Sequence, residues 1–107
     1  MLSKNFRLKK GQVQFLMKQE KVETDLFIVK SKESGEERSR FAVVVSKKIF
    51  PKAVQRNHLK RQIHESIRLN IDLIKSKKDI LLIPKKHIVN LKYREIYKGV
   101  QEMLKSM

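Results

Sequence analysis

The sequence predicts a single-domain α+β fold over residues 1–107. Its elements run helix, strand, strand, helix, strand, helix around one central sheet packed with helices. Three observations carry that prediction. Short runs rich in β-branched, aliphatic and aromatic residues alternate with segments whose apolar residues recur every three or four positions. No repeat or linker divides the chain, which is punctuated only by Gly11, Gly35, Gly99, Pro51 and Pro84. Apolar residues make up 40% of the 107 positions, enough for one modest core.

Residues 10–21 are expected to form the first helix, with Val13, Leu16 and Met17 on one face and Phe15 turned away from it. "DLFIVKS" (25–31) and "RFAVVVSKK" (40–48) read as strands. The polar stretch between them contains Gly35 and reads as a hairpin loop. The second strand is apolar on both faces from Phe41 to Val45, which predicts a place inside the sheet. Pro51 suits the start of the next helix. There Leu59, Ile63, Ser66, Ile67 and Asn70 define an inward row, and Lys52, Arg56, Lys60, His64 and Arg68 recur every four residues beside it. Asn57 and Arg61 widen that cationic stripe. "DILLI" (79–83) is a short buried strand stopped by Pro84. Tyr93, Ile96, Tyr97, Val100, Met103, Leu104 and Met107 keep a helical period to the end of the chain.

The formal net charge is +15. Self-repulsion of this size favours a polyanionic partner: nucleic acid first, an anionic membrane surface second. A lysine-rich background would also raise the charge, but here the cations are clustered. They gather on the basic helix, at Lys47–Lys48, and at Arg7, Lys9 and Lys10. Arginine adds planar, two-pronged contacts to phosphate. Phe6, Phe15 and Phe27 offer rings for stacking on unpaired bases. Core packing is the better reading for Phe27 and Phe41, and both readings stand for Phe15.

Several chemistries find no support. Without cysteine there is no disulfide, cysteine-ligated zinc or thiol catalysis, which fits a reducing cytoplasm. No glycine-rich phosphate loop exists. His58 and His64 are six residues apart, about 240° around a helix, and cannot share a metal. "HESIR" lacks the second histidine of the zinc-protease pattern. A nuclease built on His58, His64 and Glu65 is a weak reading beside two histidines on a basic face. No apolar run approaches the ~20 residues of a membrane span, and "MLSKNFRLKK" lacks the apolar centre of a signal peptide. A soluble, cytoplasmic protein is expected.

At Ser46-Lys47-Lys48 and "KAVQRNHLKRQIHESIR" (52–68) the chain resembles the protein subunit of bacterial ribonuclease P. Ala53, Val54, Arg56, Asn57, Lys60, Arg61, Glu65 and Arg68 match that family's basic-helix motif. Arg7, Leu8, Lys9, Lys10 and Phe15 match its N-terminal element, and Asp79, Ile80 and Ile83 its last strand. An amphipathic C-terminal helix containing Glu95 completes the pattern. The chain departs from it at His58 and His64, which replace arginines. The Leu8–Phe15 spacing is one residue longer than usual. Lys92 stands where a capping serine is frequent.

The resemblance implies a ribonucleoprotein endonuclease in which the RNA subunit is catalytic. It would remove the 5′ leader of precursor tRNA with Mg2+ held mainly by RNA and substrate. The protein would supply no catalytic residue. It would bind the RNA subunit through Lys47, Lys48, Lys52, Arg56, Asn57, His58, Lys60, Arg61, His64 and Arg68. It would contact the leader through Arg7, Lys9, Lys10 and Phe15, between the first helix and the sheet. A left-handed βαβ crossover, against the usual rule, is also implied. The rival reading is a ribosomal-type RNA-binding protein with no role in processing.

Overall fold

The computed structural model of the protein describes residues 4–107. Met1 to Ser3, which open the segment read as lacking a signal peptide, lie outside the described residues. Seven main elements follow in order: α1 (Lys10–Met17), β1 (Val22–Glu23), β2 (Phe27–Glu33), β3 (Arg40–Val43), α2 (Ala53–Asn70), β4 (Lys78–Pro84) and α3 (Tyr93–Lys105). Short 3-10 turns precede α1, follow α2 and precede α3.

The four strands form one mixed sheet in the order β1-β2-β4-β3. β4 is the centre, antiparallel to β2 and parallel to β3. The expected hairpin between β2 and β3 is therefore absent. The loop carrying Gly35 (φ 69°) instead joins two strands that both pair with β4. The reason lies in burial. Asp79 to Leu82 are all buried, and only a central strand has both faces covered.

β3 is correspondingly an edge strand, not an interior one. Its free edge is covered by the N-terminal segment, where Arg7 bridges Phe41 and the Leu8 N–H donates to the Phe41 carbonyl at 2.8 Å. It is also shorter than expected. After Val44, whose N–H still reaches Leu82, the chain leaves for a turn closed by Phe50 N–H to Ser46 C=O. Buried Phe50 anchors that turn.

Strand alternation splits the sheet into two faces. Phe27, Val29, Phe41, Val43, Ile80 and Leu82 point into the main core. There they meet Leu59, Ile63 and Ile67 of α2 and Ile96, Val100, Met103 and Leu104 of α3. Each such side chain contributes about 1.5–3 kcal/mol by leaving water. The predicted inward row of α2 is buried throughout, including Ser66 and Asn70. Asn70 donates to the Ser66 carbonyl and accepts from Tyr97 and Gln101, which ties α2 to α3. Gly99 makes room on α3, since a β-carbon there would overlap Leu26 Cδ1.

The opposite face is lightly covered by α1, through Leu16, the only fully buried residue of that helix. α1 ends at Met17, four residues early, because residues 18–21 are polar and offer nothing to pack. Met17 is exposed rather than sharing Leu16's buried face. The chain then adds β1, a two-residue strand that the sequence pattern did not reveal.

Candidate nucleic-acid interface

The basic helix presents its cations unevenly. An i, i+4 row drifts about 40° per step around a helix with 3.6 residues per turn. Along the row Lys52 is exposed, Arg56 and Lys60 are half-buried, His64 is buried and Arg68 returns to solvent. Arg56, early in the row, is half-buried, and its guanidinium Nη1 donates to the carbonyls of Phe50 (2.9 Å) and Pro51 (2.8 Å). It fastens the loop that enters α2. Lys60 is half-buried, while Lys52, Asn57, His58, Arg61 and Arg68 are exposed. Arg68 is gripped by the Glu65 carboxylate, which this contact holds below the usual carboxylate range.

His64 departs from the expected stripe. It is only 7% exposed, and its Nδ1 is buried without a hydrogen-bond partner among the described residues. Burial first, then the positive charges of Arg7 and Lys60, lower its pKa. It belongs to the packed side of α2 rather than to its free cationic stripe.

Lys47 and Lys48 stand exposed in the turn before α2, where the Lys48 N–H is held by Ser46 Oγ. Among the described residues, Lys47, Lys48, Lys52, Lys60 and Arg61 form no ion pair within 4 Å. Five cations without carboxylate partners among the described residues thus line the turn before α2 and its N-terminal half, with Val54 82% exposed between them.

The α1 side of the sheet builds a second surface. Phe15 is 51% exposed, and Lys32 Nζ lies 5.7 Å from its ring centre. Lys30 donates to the Met17 carbonyl, which ties β2 to the end of α1. Across the strands Lys32, Asp79 and Arg40 lie side by side. Fully buried Asp79 accepts from Arg40 Nε (2.9 Å) and Nη2 (3.0 Å), with Lys32 Nζ at 3.4 Å. The paired carboxylate raises the Arg40 pKa. Two cations on one carboxylate leave this floor positive. Lys30, Lys32 and Arg40 were not among the expected site residues. Their signal was the period-2 alternation of cations with buried residues along β2 and β3.

Of the residues assigned to leader contact, Phe15 faces this surface. Arg7 and Lys9 instead line a cationic pocket beside Arg38 and Arg40. Lys10 is exposed at the first turn of α1. Phe27 and Phe41 belong to the core.

A family model for ribonuclease P matches residues 2–107. The chain belongs to the ribonuclease P protein family. It is 42% identical over 74 residues to the ribonuclease P protein component of Fusobacterium nucleatum, a match covering 65% of this chain and 66% of that protein. The corresponding component of Alkaliphilus oremlandii is 33% identical over 90 residues, covering 84% and 78% of the two chains. The RNase P protein from Thermotoga maritima superposes with a TM-score of 0.81 at 26% identity, over 94% of this chain and 96% of that one. The ribonuclease P fold therefore accounts for α1, the mixed sheet, α2 and α3 together. Among the described residues no helix is long and apolar enough to cross a membrane.

Proposed function

We propose that this chain binds the catalytic RNA of ribonuclease P along α2 and the 5′ leader of precursor tRNA on the α1 face of the sheet. The complex hydrolyses the phosphodiester that joins leader to mature tRNA. The observation that carries this reading is the unpaired cation set of Lys47, Lys48, Lys52, Lys60 and Arg61. These charges are mounted beside a helix whose other side is locked into the core. Such a surface neutralises phosphates and releases their counterions. Half-exposed Phe15 beside Lys32 supplies the other element of single-strand recognition, a ring for a base next to a charge for its phosphate.

The protein positions; it does not react. Among the described residues no three carboxylates or histidines are grouped to hold a metal ion. This reading assigns Mg2+ mainly to the RNA subunit and substrate. Holding leader and RNA subunit together lowers the entropic cost of alignment. The test is reconstitution with a ribonuclease P RNA at low Mg2+, reading 5′ processing of precursor tRNA. A ribosomal-type RNA-binding protein would bind precursor and mature tRNA alike and leave processing unchanged.

A further inference from the structure

Two pockets meet at Arg38, at the end of the sheet where β3 and β4 begin. The first, about 260 Å³, is lined by the cations Lys4, Arg7, Lys9, Arg38 and Arg40 and by one carboxylate, Glu36. Arg40 is matched by Asp79, but Lys4, Arg7, Lys9 and Arg38 form no ion pair among the described residues. Positive groups brought together this way repel one another until an anion enters.

The second pocket, about 340 Å³, lies on the other side of Arg38. Besides Arg38 it is lined by Phe6, Ile71 and Ile74 and by the polar residues Glu37, Ser39, Asp72 and Lys77. Phe6 is half-buried and packs against the main core, so its ring is fixed. The Arg38 guanidinium carbon sits 5.9 Å from the centre of that ring. Here Glu37 and Asp72 offset Arg38 and Lys77, so this pocket lacks the first one's excess of positive charge, and the ring and the two isoleucines accommodate an aromatic base. An anion site and an aromatic-walled site side by side match the two ends of one nucleotide.

We propose that these pockets form a subsite for a single unpaired nucleotide of RNA, with its phosphate among Lys4, Arg7 and Arg38 and its base against Phe6. The subsite rests on the RNA-binding role proposed above but is separate from the α1 surface around Phe15. A base must leave its helix to enter it, so paired RNA does not occupy it. Either the leader or an unpaired position of the RNA subunit supplies the same chemistry.

The test begins with the free protein, followed by amide NMR titration with adenosine 5′-monophosphate, adenosine and inorganic phosphate. Shifts are expected at residues 4–9, 36–40 and 71–77, with the nucleotide binding more tightly than either fragment. Arg38→Gln should weaken the nucleotide about tenfold, as expected for one lost charge-assisted contact. This variant keeps the backbone carbonyl of residue 38 that accepts from Ser34 Oγ. Phe6→Leu, which keeps an apolar anchor, should weaken the nucleotide about fivefold or more and leave inorganic phosphate unchanged.

Equal affinity for nucleotide and phosphate, with no effect of Phe6→Leu in a folded variant, overturns the subsite, as does a response confined to the α1 face. In the reconstituted complex, Arg38→Gln supports a leader source if only leader-bearing substrate binds less well. It supports an RNA-subunit source if assembly itself weakens. Failure of the wild-type chain to aid processing would remove the functional reading, whatever the nucleotide titration gives.

Discussion

Replacing Lys52, Lys60 and Arg61 together with alanine removes three of the unpaired cations on α2. The structure separates these residues from Arg56, whose guanidinium holds the Phe50 and Pro51 carbonyls. The triple variant should keep its fold and melting temperature, since none of the three makes an ion pair or side-chain hydrogen bond among the described residues. If each side chain neutralises one phosphate, the slope of log affinity against log salt falls by about 0.7–0.9 per contact, or about 2–3 for the three. Affinity for the RNA subunit should therefore drop most at low salt and converge with wild type as salt rises. Arg56→Ala should behave differently. Hydrogen bonds from a charged donor are worth about 1.5–3 kcal/mol each, and partial exposure discounts that. A loss of about 1–2 kcal/mol, read as a fall in melting temperature of roughly 4–16 °C, should accompany any loss of binding. Filter binding or fluorescence titration across a salt series, with circular dichroism melts in parallel, measures both. An unchanged slope in the folded triple variant would refute the assignment of α2. A large drop in its melting temperature would show that the three side chains are structural after all.

Three further outcomes are expected. Phe15→Ala should weaken binding of precursor tRNA about tenfold, from base stacking worth roughly 1–3 kcal/mol, and leave mature tRNA unaffected; equal weakening of both would exclude a leader contact. His64 has its pKa lowered by burial, so the unfolded chain takes up a proton near pH 6.5 before the folded one does. Free protein should thus lose stability as pH falls below about 6.5 toward the lower folded pKa, and be insensitive to His64 above it. His64→Gln should flatten that part of a denaturation-versus-pH curve, and an unaltered curve would contradict the burial argument. Asp79→Ala leaves Arg40 without its partner at the centre of the sheet and should cost about 3 kcal/mol, the low end for a broken buried pair because Arg40 and Lys32 retain some exposure. A urea midpoint equal to wild type would show the pair to be dispensable.

The parts of the fold that were legible in the sequence are those fixed by local periodicity. Leu59, Ile63, Ser66, Ile67 and Asn70 share one side of α2 because the helical repeat alone puts them there, and the same holds for Ile96, Val100, Met103 and Leu104 in α3. Strand order was not legible, because pairing joins residues distant in sequence. β4 enters between β2 and β3 to bury Ile80, Leu81 and Leu82 on both faces. The apolar character of β3 reflects the core contacts of Phe41 and Val43, while its free edge is covered by the N-terminal segment and not by a second neighbouring strand. At the candidate site the exposure of Phe15 followed from its offset within α1. The burial of His64 did not follow, because it depends on how α2 packs against the rest of the fold, which helical spacing alone does not set. The Asp79–Arg40 pair was likewise hidden, since those residues meet only across paired strands.

The most direct measurement is 5′-leader removal from precursor tRNA by this chain reconstituted with a ribonuclease P RNA at low Mg2+, alongside RNA alone and protein alone. Processing should appear with the two subunits together, fail with RNA-free protein, and weaken at the same salt with Lys52, Lys60 and Arg61 replaced. Site-specific cleavage by protein free of RNA, or no stimulation of the RNA by the folded wild-type chain, would contradict the account.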